Sequence, residues 1–308
     1  MILVLTGGTG GAKLICGLSH ELDPADLTIV CNTADDLVLH GLHISPDLDT
    51  IMYTLAGMSD ADKGWGIQND TFSVLGQLEK FGAETWFKLG DRDFATHITR
   101  SRLLQKGLTL SQVTDRLCRA LDTRATIFPM SNDRIETRVR TVHGEISFQE
   151  YFVKERWQPE VTGVFYPGIE RSRPAPGAID AIRNAAAIIL CPSNPVTSIG
   201  PILAVPGIRD ALKSATAPII GVSPLIGNSA VSGPTHKLME AQACEPSALG
   251  VAKGYADLLD IFLIDSRDQT LKEKIECLGM KVVTTSILMD SLSDKRRLAR
   301  EVMALIAK

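Results

Sequence analysis

The chain has 308 residues, 44% hydrophobic and 22% charged, with a formal net charge of −4, an ordinary globular balance in a chain long enough for one large domain or two smaller ones. The negative balance argues against non-specific nucleic-acid binding, so an anionic ligand has to be met by a local pocket. The six cysteines, at 16, 31, 118, 191, 244 and 277, form no C-x-x-C pair and speak against zinc, and no stretch approaches the ~20 apolar residues of a membrane span.

The chain opens on an apolar run, Met1 to Leu5, that enters Thr6-Gly7-Gly8-Thr9-Gly10-Gly11. An amphipathic segment with Leu14, Ile15, Leu18 and Leu22 follows. That order reads as buried strand, phosphate-sized turn and helix. Glycines permit positive φ and close approach of a phosphate. The helix N-terminus offers unpaired N–H groups and a partial positive charge, and Lys13 adds a point charge one turn in. The spelling matches neither G-x-G-x-x-G nor G-x-x-x-x-G-K-[ST]; the alternative is a tight turn without a ligand.

Leu27–Thr33 is a second buried strand, followed by Ala34-Asp35-Asp36. Strand, helix, strand implies a right-handed parallel crossover, with ligands at the strands' carboxyl ends. Asn32, Thr33, Asp35 and Asp36 then stand beside the glycine turn. Pro46 opens a helix to Leu55. Asp47 in its first turn reads as a cap, whereas Asp49 joins Asp35 and Asp36 as a hard oxygen ligand of the kind Mg²⁺ requires. Trp65–Phe72 is expected to begin another helix, capped by Asp70 and Thr71. Lys88-Leu-Gly-Asp91-Arg92-Asp93, His97 and Arg100 form a polar knot between helices: either a charged turn or a pocket wall with donors from Lys88, Arg92 and Arg100. Two short helices, Ser101–Lys106 and Ser111–Leu121, break at Gly107.

From 125 to 166 period-two segments appear: Thr126–Pro129, Glu136–Val142 and Glu145–Phe148 with a turn at Gly144, a short helix Gln149–Lys154, and the strand Val161–Tyr166. The βαβ rhythm resumes with helix Ala178–Asn184 and strand Ala186–Cys191. That strand runs into Pro192-Ser193-Asn194-Pro195-Val196-Thr197-Ser198-Ile199-Gly200-Pro201, dense in hydroxyls. Strand Pro218–Ser223 leads into a loop with Gly227, Asn228 and Ser229, and a polar turn spans Val231–Lys237. Leu259–Asp265 and Lys281–Thr285 are the last strands, and Asp294–Ala307 is a cationic terminal helix.

The fold expected is α/β: a doubly wound, mostly parallel, Rossmann-like sheet with an inserted smaller α+β region. Residues 1–40 and 175–308 form the nucleotide-binding domain, and 41–174 an inserted helical and α+β region that helps form an acceptor site. Four polar strand ends converging on one crevice point to a phosphate-bearing ligand. No G-x-S-x-G elbow is present, Ser193 has no clearly placed histidine base, and His97 reads as a hydrogen-bond donor.

In one order, Gly7-Gly8-Thr9-Gly10 with Lys13, Asn32-Thr33-Ala34-Asp35-Asp36, Pro46-Asp47-Leu48-Asp49-Thr50, Lys88-Leu89-Gly90-Asp91-Arg92-Asp93, Pro192-Ser193-Asn194-Pro195 with Ser198-Ile199-Gly200-Pro201, and Ser223-Pro224 resemble the 2-phospho-L-lactate transferase family of coenzyme F420 biosynthesis, over essentially the whole chain. The resemblance implies an enzyme that moves a phospholactyl or phosphoenolpyruvyl group from a guanosine-diphosphate donor to the ribityl hydroxyl of the deazaflavin Fo, releasing GMP. It implies Mg²⁺, a cytoplasmic homodimer, and no nucleic-acid or membrane partner. By the same resemblance Asp49 and Lys88 are the catalytic candidates and, with Asp91, the Fo site. Gly7, Gly8, Thr9, Gly10, Lys13, Asn32, Thr33, Ser193, Asn194, Thr197, Ser198 and Gly200 match the nucleotide side. Asp35 and Asp49 are the metal candidates, with Asp49 either a ligand or the group orienting the hydroxyl.

The main rival is a related family of UDP-sugar-binding regulatory proteins, which continue the Asp-Asp with Gly-Gly-Ser-Ser-Gly. Here Leu37-Val38-Leu39-His40-Gly41 follows instead. The incomplete G-x-G-x-x-G argues against a dinucleotide-dependent dehydrogenase.

Overall fold

Seven short apolar stretches pair into one parallel sheet: β1 (Ile2–Thr6), β2 (Leu27–Cys31), β3 (Thr126–Pro129), β4 (Ala187–Leu190), β5 (Ile219–Val222), β6 (Ile261–Asp265) and β7 (Lys281–Thr285). Their spatial order is β3-β2-β1-β4-β5-β6-β7, and every pairing is parallel. The chain therefore winds outward in both directions from β1 and β4, which puts the switch point of a doubly wound sheet between those two strands. This computed structural model describes residues 1–60, 63–227, 229–230 (backbone only) and 233–306. Asn228, Val231, Ser232 and Ala307, which the sequence assigns to two polar loops and the terminal helix, lie outside the described residues, as does the side chain of Ser229.

The inner strands are buried along their whole length because helices cover both faces. Leu3, Leu5, Ile188 and Leu190 enter one core, whereas Ile2, Val4, Ala187 and Ile189 enter the other. On the second face helix α1 (Gly8–Glu21) sets Leu14, Ile15 and Leu18 against Leu298, Ala299 and Val302 of the C-terminal helix Leu292–Ile306. The two approach so closely that a Cβ on Gly17 would lie 2.1 Å from the Lys295 carbonyl oxygen.

Two expectations change. Thr126–Pro129, read as part of the α+β insertion, pairs with β2 from Thr28↔Thr126 to Cys31↔Pro129 and is the edge strand of the main sheet. A four-residue run with one exposed position does not tell an edge strand from a hairpin arm. The segment 41–174 is thus two crossovers. The first carries helices α2 (Pro46–Leu55), α3 (Ser73–Lys80), α4 (Asp91–Gln105) and α5 (Leu110–Ala120). The second carries a three-stranded antiparallel sheet (Arg138–Thr141, Gly144–Ser147, Val161–Phe165) and a π-helical turn, Glu150–Lys154.

The polar knot at 88–100 is likewise not a connection. Most of it is the first turns of the 15-residue α4, so the helix expected at Ser101 begins at Asp91. Its start is hidden in sequence because the caps are exchanged. Asp70, expected to cap its own helix, accepts the backbone N–H groups of Arg92 and Asp93. Asp91 in turn accepts those of Ser73 and Val74, so that α3 starts at Ser73 rather than near Trp65. Each carboxylate stabilises the other helix's N-terminus by satisfying its free N–H groups and matching its dipole.

Candidate active site

The glycine turn sits at the switch point and is shaped by contacts that leave no room for side chains. Gly8 has φ +65°, a left-handed conformation that favours glycine. A Cβ on Gly7 would lie 2.6 Å from Asp47 Oδ2, on Gly10 2.4 Å from the Pro192 carbonyl, and on Gly11 1.8 Å from Thr6 Oγ1. The Gly7 N–H donates to Ser193 Oγ at 3.4 Å, joining the ends of β1 and β4. The N-cap residue of α1 has no side chain with which to cap, and the Asp47 carboxylate packs directly against the turn. The expectation that Asp47 caps its own helix changes: the N-cap of α2 is Ser45, and the Asp47 carboxylate faces Asn32 and the glycine turn.

Asn32, fully buried at the end of β2, is the hub of the acidic side. Its Nδ2 donates to Asp35 Oδ2 (3.2 Å), Asp47 Oδ2 (2.9 Å) and the Thr197 carbonyl (3.1 Å). Its Oδ1 accepts the Ala34 N–H at 3.0 Å. One amide therefore ties β2, α2 and the loop after β4 together. Asp35 and Asp47 are both buried, and neither meets a Lys, Arg or His among the described residues. Burial holds both carboxyls above their ordinary value, Asp47 at about 6, and the Asp47 charge raises Asp35 further. Asp36 is engaged elsewhere, accepting from Ser45 Oγ at 2.7 Å and lying 2.9 Å from His43 Nε2.

Asp49 belongs to a different cluster. Both of its oxygens take Arg100 guanidinium nitrogens. Arg100 Nη1 also lies 3.3 Å from His97 Nδ1, and His97 Nε2 lies 3.2 Å from Asp93 Oδ1 without forming an aligned hydrogen bond. Tyr53 donates to Asp93 at 2.7 Å. Asp93, His97 and Arg100 share one face of α4 at i, i+4 and i+7 spacing. The facing carboxylates hold the guanidinium above its ordinary pKa against the opposing effect of burial.

These elements enclose a cleft of about 350 Å³, within the range of small-molecule sites. Of the residues expected on the nucleotide side, Gly7, Gly8, Thr9, Gly10, Lys13, Ser193, Asn194, Thr197 and Ser198 line it; so do Asp35, Asp49 and Lys88. Lys13 and Lys88 pair with no carboxylate among the described residues, although the cleft between them is acidic. Four expected residues do not line it. Asn32 and Thr33 lie beneath the floor, and Asp91 caps α3. Gly200 packs where a Cβ would meet the Pro195 carbonyl at 2.6 Å. Sequence reasoning missed Asp47 as a lining carboxylate, as well as Tyr53, Asp93 and an apolar wall that includes Trp65, Phe87, Phe148 and Phe152. The periodic polar stripe on α4 was the signal available for Asp93.

Two groups of side chains offer a metal ligands. Asp49, Asp93 and His97 present atoms within 4.8 Å of one another, but Arg100 already supplies positive charge to Asp49. Asp35 and Asp47 offer oxygens alone, and among the described residues Asp35 Oδ1 is buried without a hydrogen-bond partner and no Lys, Arg or His balances the pair. That donor set fits Mg²⁺, which prefers carboxylate oxygen and water.

Known proteins resemble this chain along nearly its whole length. Residues 2–303 match the family model for "2-phospho-L-lactate transferase CofD". The chain is 43% identical over 310 residues to a phosphoenolpyruvate transferase of Streptomyces griseus, covering 99% of this chain and 98% of that one. It is 42% identical over 304 residues to a 2-phospho-L-lactate transferase of Methanosarcina acetivorans, covering 99% and 98%. Among solved structures, a UPF0052-family protein of Bacillus halodurans superposes with a TM-score of 0.65 over 98% of both chains at 17% identity, a likeness of fold alone.

Proposed function

The chain belongs to the 2-phospho-L-lactate transferase (CofD) family and is a transferase of phospholactyl or phosphoenolpyruvyl type; we propose that its donor is a guanosine diphosphate carrying that acid, its acceptor the deazaflavin Fo, and its by-product GMP, in coenzyme F420 biosynthesis. The observation that carries this reading is the pairing of unlike charges across the switch point. The α1 N-terminus and two unpaired lysines, Lys13 and Lys88, face two buried carboxylates that lack a cation. A diphosphate supplies the anion for the first group, and Mg²⁺ the cation for the second.

In this reading the glycine turn, Lys13, Ser193, Thr197 and Ser198 bind the diphosphate. Asp35 and Asp47 would hold Mg²⁺, which when bound neutralises phosphate charge. Lys88 and Asp49 meet the acceptor, and Asp49, fixed by Arg100, accepts a hydrogen bond from the ribityl hydroxyl and orients it. The hydroxyl oxygen forms a bond to the phosphorus bearing the three-carbon acid. The anhydride bond to GMP breaks, and the hydroxyl proton passes to solvent. Positioning and charge neutralisation account for such a transfer without a covalent enzyme intermediate. A homodimer in the cytoplasm is the setting this function implies.

Titration of intrinsic Fo fluorescence tests the reading. Saturable binding of Fo, with UDP-N-acetylglucosamine failing to compete for the GDP site, is expected. Binding of the UDP-sugar with no binding of Fo would reverse it in favour of the regulatory family.

A further inference from the structure

On the cleft's aromatic side one buried amide forms no hydrogen bond to any described residue. Gln149 is only 7% exposed and lines the cleft, and its amide makes no hydrogen bond to any described residue. Its neighbours make it stand out. Phe148 and Phe152 stack with centroids 5.5 Å apart and planes 17° from parallel, and Phe152 stacks on Trp157 at 5.3 Å. Phe148 and Phe152 also line the cleft, so the amide sits in an aromatic wall.

The placement is rigid. Gln149 precedes the π-helical turn Glu150–Lys154, a rare conformation often found at functional sites. Glu150 locks that turn by accepting from Ser147 N–H (2.9 Å) and Ser147 Oγ (2.7 Å), while its own N–H donates to Ser147 Oγ. The Phe148 N–H is tied to the Thr137 carbonyl at 2.9 Å. The side chain is thus fixed on the cleft wall with its residual exposure on the cleft and its donors and acceptor free to pair with a bound ligand.

An amide beside aromatic faces complements a planar ring that offers a donor next to an acceptor, and in a lactam edge these are N–H and C=O. The amide carbonyl accepts the ring N–H, the amide N–H donates to the ring carbonyl, and the ring packs on the phenylalanines. Phosphate, ribose and the three-carbon acid lack this edge. We propose that Gln149 reads the lactam edge of a bound heterocycle and is a specificity-determining residue of this site. The inference rests on the function proposed above, whose two ligands both carry such an edge: the guanine of the donor and the pyrimidinedione of the deazaflavin.

The test is Gln149→Leu, close in volume and without polar atoms. GDP binding is measured by calorimetry in the presence of MgCl₂ and Fo binding by fluorescence. The inference expects one of the two dissociation constants to rise about tenfold or more and the other to stay unchanged. The affected ligand identifies the ring, and the unaffected one shows that the site is intact. Unchanged binding of both overturns the inference, and so does equal loss of both, which would mark Gln149 as structural. If the wild-type protein binds neither GDP nor Fo, the proposed function itself fails, an outcome separate from failure at Gln149.

Discussion

Arg100 and Asp49, 51 residues apart in sequence, form an ion pair in which each carboxylate oxygen takes a guanidinium nitrogen, with side chains only 1% and 6% exposed. Burying one of these charges alone is costly, so the two are expected to fail together. Arg100→Met should destabilise the protein by roughly 3–5 kcal/mol, and Asp49→Asn/Arg100→Met by less than the sum of its singles. Chemical denaturation of the four proteins measures the coupling. Additive losses would show that the pair contributes no mutual stabilisation.

Asp49→Asn alone carries two effects. It removes the proposed hydroxyl-orienting group and strips Arg100 of its charge partner. GMP release should fall at least about 100-fold, with a lowered melting temperature as well. Steady-state assays below the variant's own melting temperature separate the effects. Near wild-type turnover would remove Asp49 from the reaction.

Asp47 makes stability depend on pH with an unusual sign. Burial raises its carboxyl from 3.8 to about 6. Between those values the folded chain holds a proton that the unfolded chain has lost, so this group's contribution to stability falls as pH rises through the window. Asp35, raised for the same reason, acts in the same direction. Asp47→Asn should raise the melting temperature of the ligand-free protein at about pH 7.5 by ~3 °C and blunt the response to MgCl₂. In the wild type, the stabilisation by MgCl₂ should shrink as pH drops below about 6, where Asp47 is protonated. Differential scanning calorimetry across this range reads both effects.

Gly10 tests the switch point itself. Its missing Cβ would stand 2.4 Å from the Pro192 carbonyl, a backbone atom that cannot rotate away. Gly10→Ala should force the ends of β1 and β4 apart, costing about 1–3 kcal/mol and weakening GDP binding more than Fo binding. An alanine tolerated without change in either would mean that the two loops are not held in this register.

Lys13 and Lys88 are assigned to different ligands. Lys13→Met should weaken GDP binding about tenfold and reduce its salt dependence, leaving Fo binding nearly unchanged; Lys88→Met should do the reverse. Titrations of each variant with each ligand at low and high salt check the assignment.

The strand–turn–helix start, the inner strands and the Ser193 loop were legible because parallel strands buried on both faces read as unbroken apolar runs, and the loops ending them are polar. Asp49, Lys88 and the glycine turn could be marked as site candidates from local motifs and their family resemblance. What was hidden is set by distance in sequence. The exchange of caps between Asp70 and Asp91, the pairing of Thr126–Pro129 with β2, and the Arg100 partnership of Asp49 each join segments tens of residues apart. Gln149 left no signal at all, since an amide in a short helix is unremarkable until its lack of partners is seen.

The central claim is that the cleft between β1 and β4 transfers a phospho-acid from a guanosine diphosphate to Fo. The most direct measurement incubates the protein with Fo, Mg²⁺ and, in separate reactions, the phospholactyl and phosphoenolpyruvyl donors, following GMP by chromatography and the deazaflavin by mass spectrometry. The account predicts GMP release in step with a deazaflavin heavier by one phosphorylated three-carbon acid. GMP without that product, or no turnover of either donor, would contradict it.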